Sequence, residues 1–161
     1  MKEKTFEFKY KVYNDITELP QDQQWLLQEA RDATDQAYAP YSNFHVGAIA
    51  KLVNGELVTG SNQENASFPV GLCAERVLLA AASSVFPKIP IETMAISYKS
   101  EGQKSDHPIS PCGICRQSLQ EFESRVGHPV QLILGGMEGP VFVIDSASRL
   151  LPLAFTSEEL K

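Results

Sequence analysis

The stretch from Cys73 to Tyr98, CAERVLLAAASSVFPKIPIETMAISY, changes character once, at Phe86-Pro87. Before that point, Cys73 to Val85 is dense in Ala and Leu, residues that lose little on entering a helix, and it predicts a buried helix. The ring of Pro87 removes a backbone donor and fixes φ, so the helix should end before it. Beyond the break, Ile91 to Tyr98 is predicted as a strand. A buried helix feeding a strand is a unit of layered α/β domains.

Downstream, a polar loop to Pro111 precedes a second helix, Gly113 to Ser124, with Leu119 and Phe122 on its inner side. Val130 to Leu134 is the next strand. Gly135-Gly136 and Gly139-Pro140 bracket a turn before another, Val141 to Ile144. A short helix beginning after Asp145 or Ser146, then Pro152, leads into the tail. Upstream, Val46 to Val53 and Glu56 to Gly60 flank Asn54-Gly55, a strong hairpin signal. The segment from there to Gly71 has neither period and is a loop. Pro20 to Tyr38 carries Trp25, Leu26, Ala30, Ala33 and Ala37 at helical intervals and predicts an amphipathic helix, broken by Ala39-Pro40. From Phe6 to Val12 the apolar residues fall at every second position, the pattern of a half-buried strand. The alternation of strands and helices implies an α/β layered domain with a mixed sheet, without repeat, linker or low-complexity segment.

At 161 residues the chain reads as one domain, large enough to fold around its own core. Fourteen Lys and Arg against 20 Asp and Glu leave a net charge of -6, and the basic residues are not clustered. That argues against a nucleic-acid surface. A hydrophobic fraction of 43% exceeds that of disordered chains, yet no stretch approaches the ~18 consecutive apolar residues of a membrane span. The first fifteen residues, MKEKTFEFKYKVYND, contain no apolar core of a secretory signal, so a soluble cytoplasmic protein is expected. Its three cysteines are then reduced thiols available for chemistry or metal binding.

Those cysteines share a structural address. Cys73 opens one predicted helix, while Cys112 and Cys115 open the next. The positive end of a helix dipole favours the thiolate, and separation by three positions puts Cys112 and Cys115 on one face. A lone cysteine is more often an inert buried hydrophobe; three at helix starts point to an ion. Three protein ligands with an open fourth position describe a catalytic zinc rather than a structural one. His45, His107 and His128 lack metal-motif spacing and read as loop or surface residues, which leaves water as the fourth ligand.

Glu75 stands two residues after Cys73, where it can sit beside the ion without binding it and ferry protons. An isolated glutamate there would merely complement the helix dipole. Zinc with three thiolates carries net negative charge, which weakens its acidification of water. Arg76, next to Glu75, is the candidate to compensate that charge by hydrogen bonds to sulfur, with Arg116 second.

Together, Cys73-Ala74-Glu75 and Pro111-Cys112-Gly113-Ile114-Cys115 resemble the zinc nucleoside and nucleobase deaminase superfamily. The flanking text is similar to the small homotetrameric cytidine deaminases. It comprises Ala37 to Phe44, Gly60 to Ala66 (GSNQENA), Ser110 to Gln117 (SPCGICRQ) and Leu150 to Phe155 (LLPLAF), in family order over roughly residues 20–161. The resemblance implies a three-layer α/β/α cytidine-deaminase-like fold with a five-stranded mixed core sheet, to which residues 1–16 add an N-terminal extension with an extra strand. It implies hydrolytic deamination of cytidine and deoxycytidine to uridine, deoxyuridine and ammonia in pyrimidine salvage. One zinc per chain would be held by Cys73, Cys112 and Cys115, with Glu75 as proton carrier. Asn62 and Glu64 match the residues that bond the ribose hydroxyls, and Phe44 the aromatic near the nucleoside. A backbone N–H near Ala74 would meet the base carbonyl. Phe155 matches the tail aromatic that reaches a neighbouring subunit's site, although Leu153 replaces a small residue common in that tail. The implied partners are a free nucleoside and three further copies of the chain, with no nucleic acid or membrane.

The nearest alternative is a deaminase of another small cytosine-containing compound, of the blasticidin type, against which Asn62 and Glu64 argue. A dithiol redox protein would leave Cys73-Ala74-Glu75 unexplained. A zinc-stabilised binding module would want a fourth protein ligand.

Overall fold

In the computed structural model, which describes residues 1–160, six strands form one sheet in the order β1-β6-β5-β4-β2-β3. Along the chain the elements are β1 (Lys11–Tyr13), α1 (Gln21–Ala33), β2 (Phe44–Leu52), β3 (Leu57–Ser61) and α2 (Ala74–Val85). There follow β4 (Ile91–Ser100), α3 (Gly113–Val126), β5 (Gln131–Gly135) and β6 (Val141–Ile144). The sheet is mixed, as its sequence pattern predicts: β4 and β5 are parallel and every other neighbouring pair is antiparallel.

Strand alternation sorts the core into two sides. Met94 and Ile96 of β4 pack with Ala48 and Ala50 of β2, Leu132 and Leu134 of β5, Leu78 of α2 and Leu119 of α3. The intervening residues Ile49, Ala95 and Ile133 pack with Leu26, Leu27 and Ala30 of α1. The result is the expected three-layer arrangement, α1 on one face and α2 with α3 on the other.

Topology then decides where the helices begin. Because β3 and β4 are both antiparallel to β2, they run in the same direction, and β5 follows it as well. Helix α2 connects β3 to β4, and α3 connects β4 to β5, so both crossovers advance across the sheet in one sense. Right-handed crossovers advancing the same way put both helices on the same face, each starting at the carboxyl ends of the strands. The N-termini of α2 and α3 are thereby neighbours.

The differences from the sequence expectation are local. The predicted strand over Phe6 to Val12 is replaced by Lys11–Tyr13, paired antiparallel with β6 from Lys11↔Val143 to Tyr13↔Val141. Its partner β6 has four residues, fewer than the seven of the predicted strand. The aromatic alternation is spent instead on ring contacts, Tyr10 against Phe142 at 5.1 Å and Phe8 against Tyr10 at 6.0 Å. Helix α1 stops at Ala33, and a 3₁₀ turn, Thr34–Gln36, carries the chain on. There the Thr34 hydroxyl donates to the Arg31 carbonyl at 2.6 Å, a side-chain bond that competes with helix continuation. In the β2–β3 hairpin Gly55 adopts φ +87°, the left-handed conformation that its Asn-Gly pair announces. The predicted short helix near Ser146 is a 3₁₀ turn, Ala147–Leu150.

Candidate active site

Cys73 and Cys112 are the N-cap residues of α2 and α3, each in extended conformation, and Cys115 lies in the first turn of α3. Gly60 of β3 lets the first turn of α2 settle directly on the sheet. A Cβ there would lie 2.5 Å from the Ala74 carbonyl oxygen and 2.7 Å from the Leu78 nitrogen. The Sγ atoms of Cys73 and Cys112 are 3.8 Å apart, those of Cys112 and Cys115 3.5 Å, and all three lie within 4.8 Å of one another. Three sulfurs at about 2.3 Å from one tetrahedral zinc would be spaced by about 3.8 Å, so the donor set fits that ion. The cluster consists of the three cysteines alone; none of the three histidines joins it.

Thiols this close share protons. The hydrogen bond with Cys115, opposed by burial and the charge of Glu75, draws the Cys73 thiol down to about 6, while the same bond and burial push Cys115 up. One sulfur is thus already an anion near neutrality, where a cation would enter. Arg76 lowers the Cys73 thiol through its charge. No hydrogen bond joins Arg76 to a sulfur among the described residues, so its influence is electrostatic rather than the sulfur contact expected. Arg116 is not a thiolate partner at all: its Nε donates to the Pro111 carbonyl at 2.8 Å and its Nη1 to the Leu150 carbonyl at 3.1 Å. It fastens the Cys112 loop to the 3₁₀ turn before the tail.

Glu75 is 5% exposed, and burial raises its carboxyl above the ordinary carboxylate range. A carboxyl that holds its proton more readily is suited to taking and returning one. It shares a cleft of about 490 Å³ with Cys73 and Cys112. Phe44, Asn62 and Glu64, all expected at a site, line the same cleft. Asn62 is oriented by β2, its Oδ1 accepting from Val46 N at 2.7 Å and its Nδ2 donating to the Phe44 carbonyl at 2.9 Å. One amide hydrogen and further acceptor capacity remain for a ligand. Glu64 Oε2 accepts from the N–H groups of Tyr41 and Ser42 at 2.9 and 3.3 Å. The Ser42 side chain first, and these N–H groups with it, hold its carboxyl below the usual value, so it stands as an anion at the mouth.

Ala74 is fully buried, and its N–H belongs to the first-turn donors that have no helical acceptor. Phe155 does not line the cleft. It is 57% exposed, and its carbonyl accepts from Gln117 Nε2 at 2.9 Å, which places it on the outer side of α3. Three apolar wall residues, Phe68, Leu72 and Ile109, were not singled out from the sequence. They sit in loops without a period, where nothing marks an apolar side chain as facing a ligand.

Residues 20–127 match the family model described as the cytidine and deoxycytidylate deaminase zinc-binding region. A cytidine deaminase of Halalkalibacterium halodurans is 37% identical over 139 residues, 86% of this chain and 98% of that protein. The crystal structure of a cytidine deaminase from Burkholderia pseudomallei aligns with a TM-score of 0.70 at 38% identity, covering 81% of this chain and 97% of that one. A blasticidin-S deaminase of Bacillus cereus is more distant, 29% identical over 114 residues, 70% of this chain and 77% of that protein.

Proposed function

The chain belongs to the cytidine and deoxycytidylate deaminase zinc-binding family, and on that premise we propose which of its residues carry the reaction. The protein is a zinc-dependent hydrolase that converts cytidine to uridine and ammonia. One observation supports the assignment above the rest: three thiols within 4.8 Å at two helix starts, beside a buried carboxyl, in an open cleft. Cys73, Cys112 and Cys115 hold the zinc, which supplies a Lewis acid that makes water nucleophilic at neutral pH.

Glu75 moves the protons. It takes one from the attacking water for ring N3, then carries that water's second proton to the 4-amino group as the bond to C4 breaks. Asn62 and Glu64 bind the ribose hydroxyls, an amide that donates and accepts paired with a carboxylate that accepts. The negative charge of Glu64 disfavours a phosphate beside the sugar, so free nucleosides, cytidine and deoxycytidine, are the substrates rather than nucleotides or nucleic acid. Phe44 packs against the base, and the Ala74 N–H meets its carbonyl. Arg76 offsets the negative charge of the thiolates.

The same reading makes the protein a homotetramer that works in the cytoplasm in pyrimidine salvage, with Phe155 reaching the site of a neighbouring copy. The exposure of Phe155 outside its own cleft is consistent with such a reach. Among the described residues no helix is long and apolar enough to cross a membrane.

The test is an ultraviolet assay of cytidine with zinc measured in the same preparation. Conversion to uridine with one zinc per chain is expected. Zinc-loaded protein that leaves cytidine intact would overturn the assignment.

A further inference from the structure

The far end of β4 carries a tyrosine that the reaction as described does not use. Tyr98 lies beyond the last residue that pairs with β5 and stands in register with Val46 of β2. It is 2% exposed. Its ring stacks on that of Phe44, centroids 5.1 Å apart and planes inclined by 23°. Its hydroxyl and His107 Nδ1 are hydrogen-bonded at 3.1 Å, with the two rings edge to face. Asp106 Oδ1 lies 3.3 Å from the same nitrogen. Burial, then the Asp106 charge, raise the Tyr98 hydroxyl above its usual pKa, so it keeps its proton.

His107 belongs to the loop between β4 and α3, and five residues on that loop delivers Cys112. On the way, Ile109 and Ser110 line the same cleft as Phe44. The loop is also fixed near its start, where Ser105 Oγ accepts from Ser100 N at 3.0 Å, and at its end, where the Pro111 carbonyl accepts from Arg116 Nε at 2.8 Å. Gly136 also packs against the backbone of Ser105 and His107, where a side chain would have no room. Tyr98 therefore links the two: its ring backs Phe44, and its hydroxyl ties the loop at His107, two residues before Ile109. A buried hydroxyl costs free energy unless paired, so a phenylalanine would fill this position without that cost if ring packing were all that was required.

We propose that Tyr98, with His107, is a positioning residue that sets the separation between Phe44 and the Ile109–Ser110 wall and so governs nucleoside affinity. This rests on the reading of the cleft as the nucleoside site. Its removal loosens the pocket without touching the sulfur cluster or Glu75, so the effect falls on KM and not on kcat.

The experiment is steady-state kinetics on cytidine for the wild type, Tyr98→Phe, His107→Ala and the double variant, with zinc content and melting temperature measured for each. Loss of one hydrogen bond should raise KM about three- to tenfold in each single variant, with kcat within about twofold of wild type and zinc unchanged. The double variant should be no worse than the poorer single, since both remove one interaction. Wild-type KM in both single variants, even with a lowered melting temperature, would overturn the proposal and leave Tyr98 a packing residue. So would losses that multiply in the double variant. A wild-type enzyme that does not turn over cytidine would instead overturn the nucleoside reading, and the proposal with it.

Discussion

Glu75 and Glu64 are carboxylates eleven positions apart in sequence with opposite environments, and that contrast supports the different roles proposed for them. Glu75 is buried and its carboxyl is raised; Glu64 sits at the mouth, held as an anion by its hydrogen bonds. Glu75→Ala should keep its zinc, because no ligand is lost, while turnover falls by about 10²- to 10⁴-fold. Metal analysis of the purified variant decides the point, and loss of zinc would make Glu75 part of the metal shell. Glu64→Ala should reduce kcat/KM for cytidine by about tenfold or more, the scale of a hydrogen bond to a charged group, and should spare 1-methylcytosine, which has no ribose. Equal losses on both compounds would remove Glu64 from the sugar. At this scale the gathering of the three thiols, with Glu75 in the cleft that Cys73 and Cys112 line, was legible because metal chemistry restricts residue type and spacing. Tyr98 and His107 were not: a tyrosine at the end of a strand and a loop histidine have ordinary readings, and only the fold brings them together. The hydrogen bonds of Arg116 were equally hidden, since they go to backbone carbonyls that sequence does not place.

Among the elements, the decisive feature is that α2 and α3 begin side by side. The helix from Cys73 and the strand from Ile91 were legible because Ala-Leu density and a proline break are local signals, and the observed boundaries, Ala74–Val85 and Ile91–Ser100, differ little from them. The adjacency of the two starts follows from strand directions, which are set by non-local pairing. The N-terminal alternation misleads for the same reason. A period of two reports a strand's preference, but pairing is non-local, and here only Lys11–Tyr13 finds partners on the short strand β6. Gly60 is the residue on which α2 rests, with helix backbone where its side chain would be. Gly60→Ala should therefore lift the first turn of α2, lowering stability by about 1–3 kcal/mol and weakening zinc retention together. Denaturant melts with a competing chelator would show both effects, and an unchanged chelator midpoint would mean that Cys73 does not depend on that contact.

The whole molecule is tied together on the far side of α3 by Glu123, which is 8% exposed. Its carboxylate accepts from the N–H groups of Val130, Ala147 and Ser148 and from the Ser146 hydroxyl, joining α3, the entry to β5 and the turn that leads to the tail. The Leu150 carbonyl at the end of that turn holds Arg116, which in turn holds Pro111 beside Cys112. Glu123→Ala should lower stability by about 1–3 kcal/mol, because it strands the buried Val130 N–H, while Ala147 N–H keeps the Val130 carbonyl and the Ser146 hydroxyl keeps Ser148. A melt within error of wild type would show that water satisfies that N–H. The three layers were legible from the alternation of strands and helices, but this long bracket was not, since its partners are backbone groups far apart in sequence. Everything in the account depends on the three sulfurs sharing one ion with a coordination position left for solvent. X-ray absorption at the zinc edge of the purified protein tests this most directly. It should give three sulfurs at about 2.3 Å and one lighter oxygen neighbour; a shell of four protein ligands, or the absence of zinc–sulfur scattering, would contradict it.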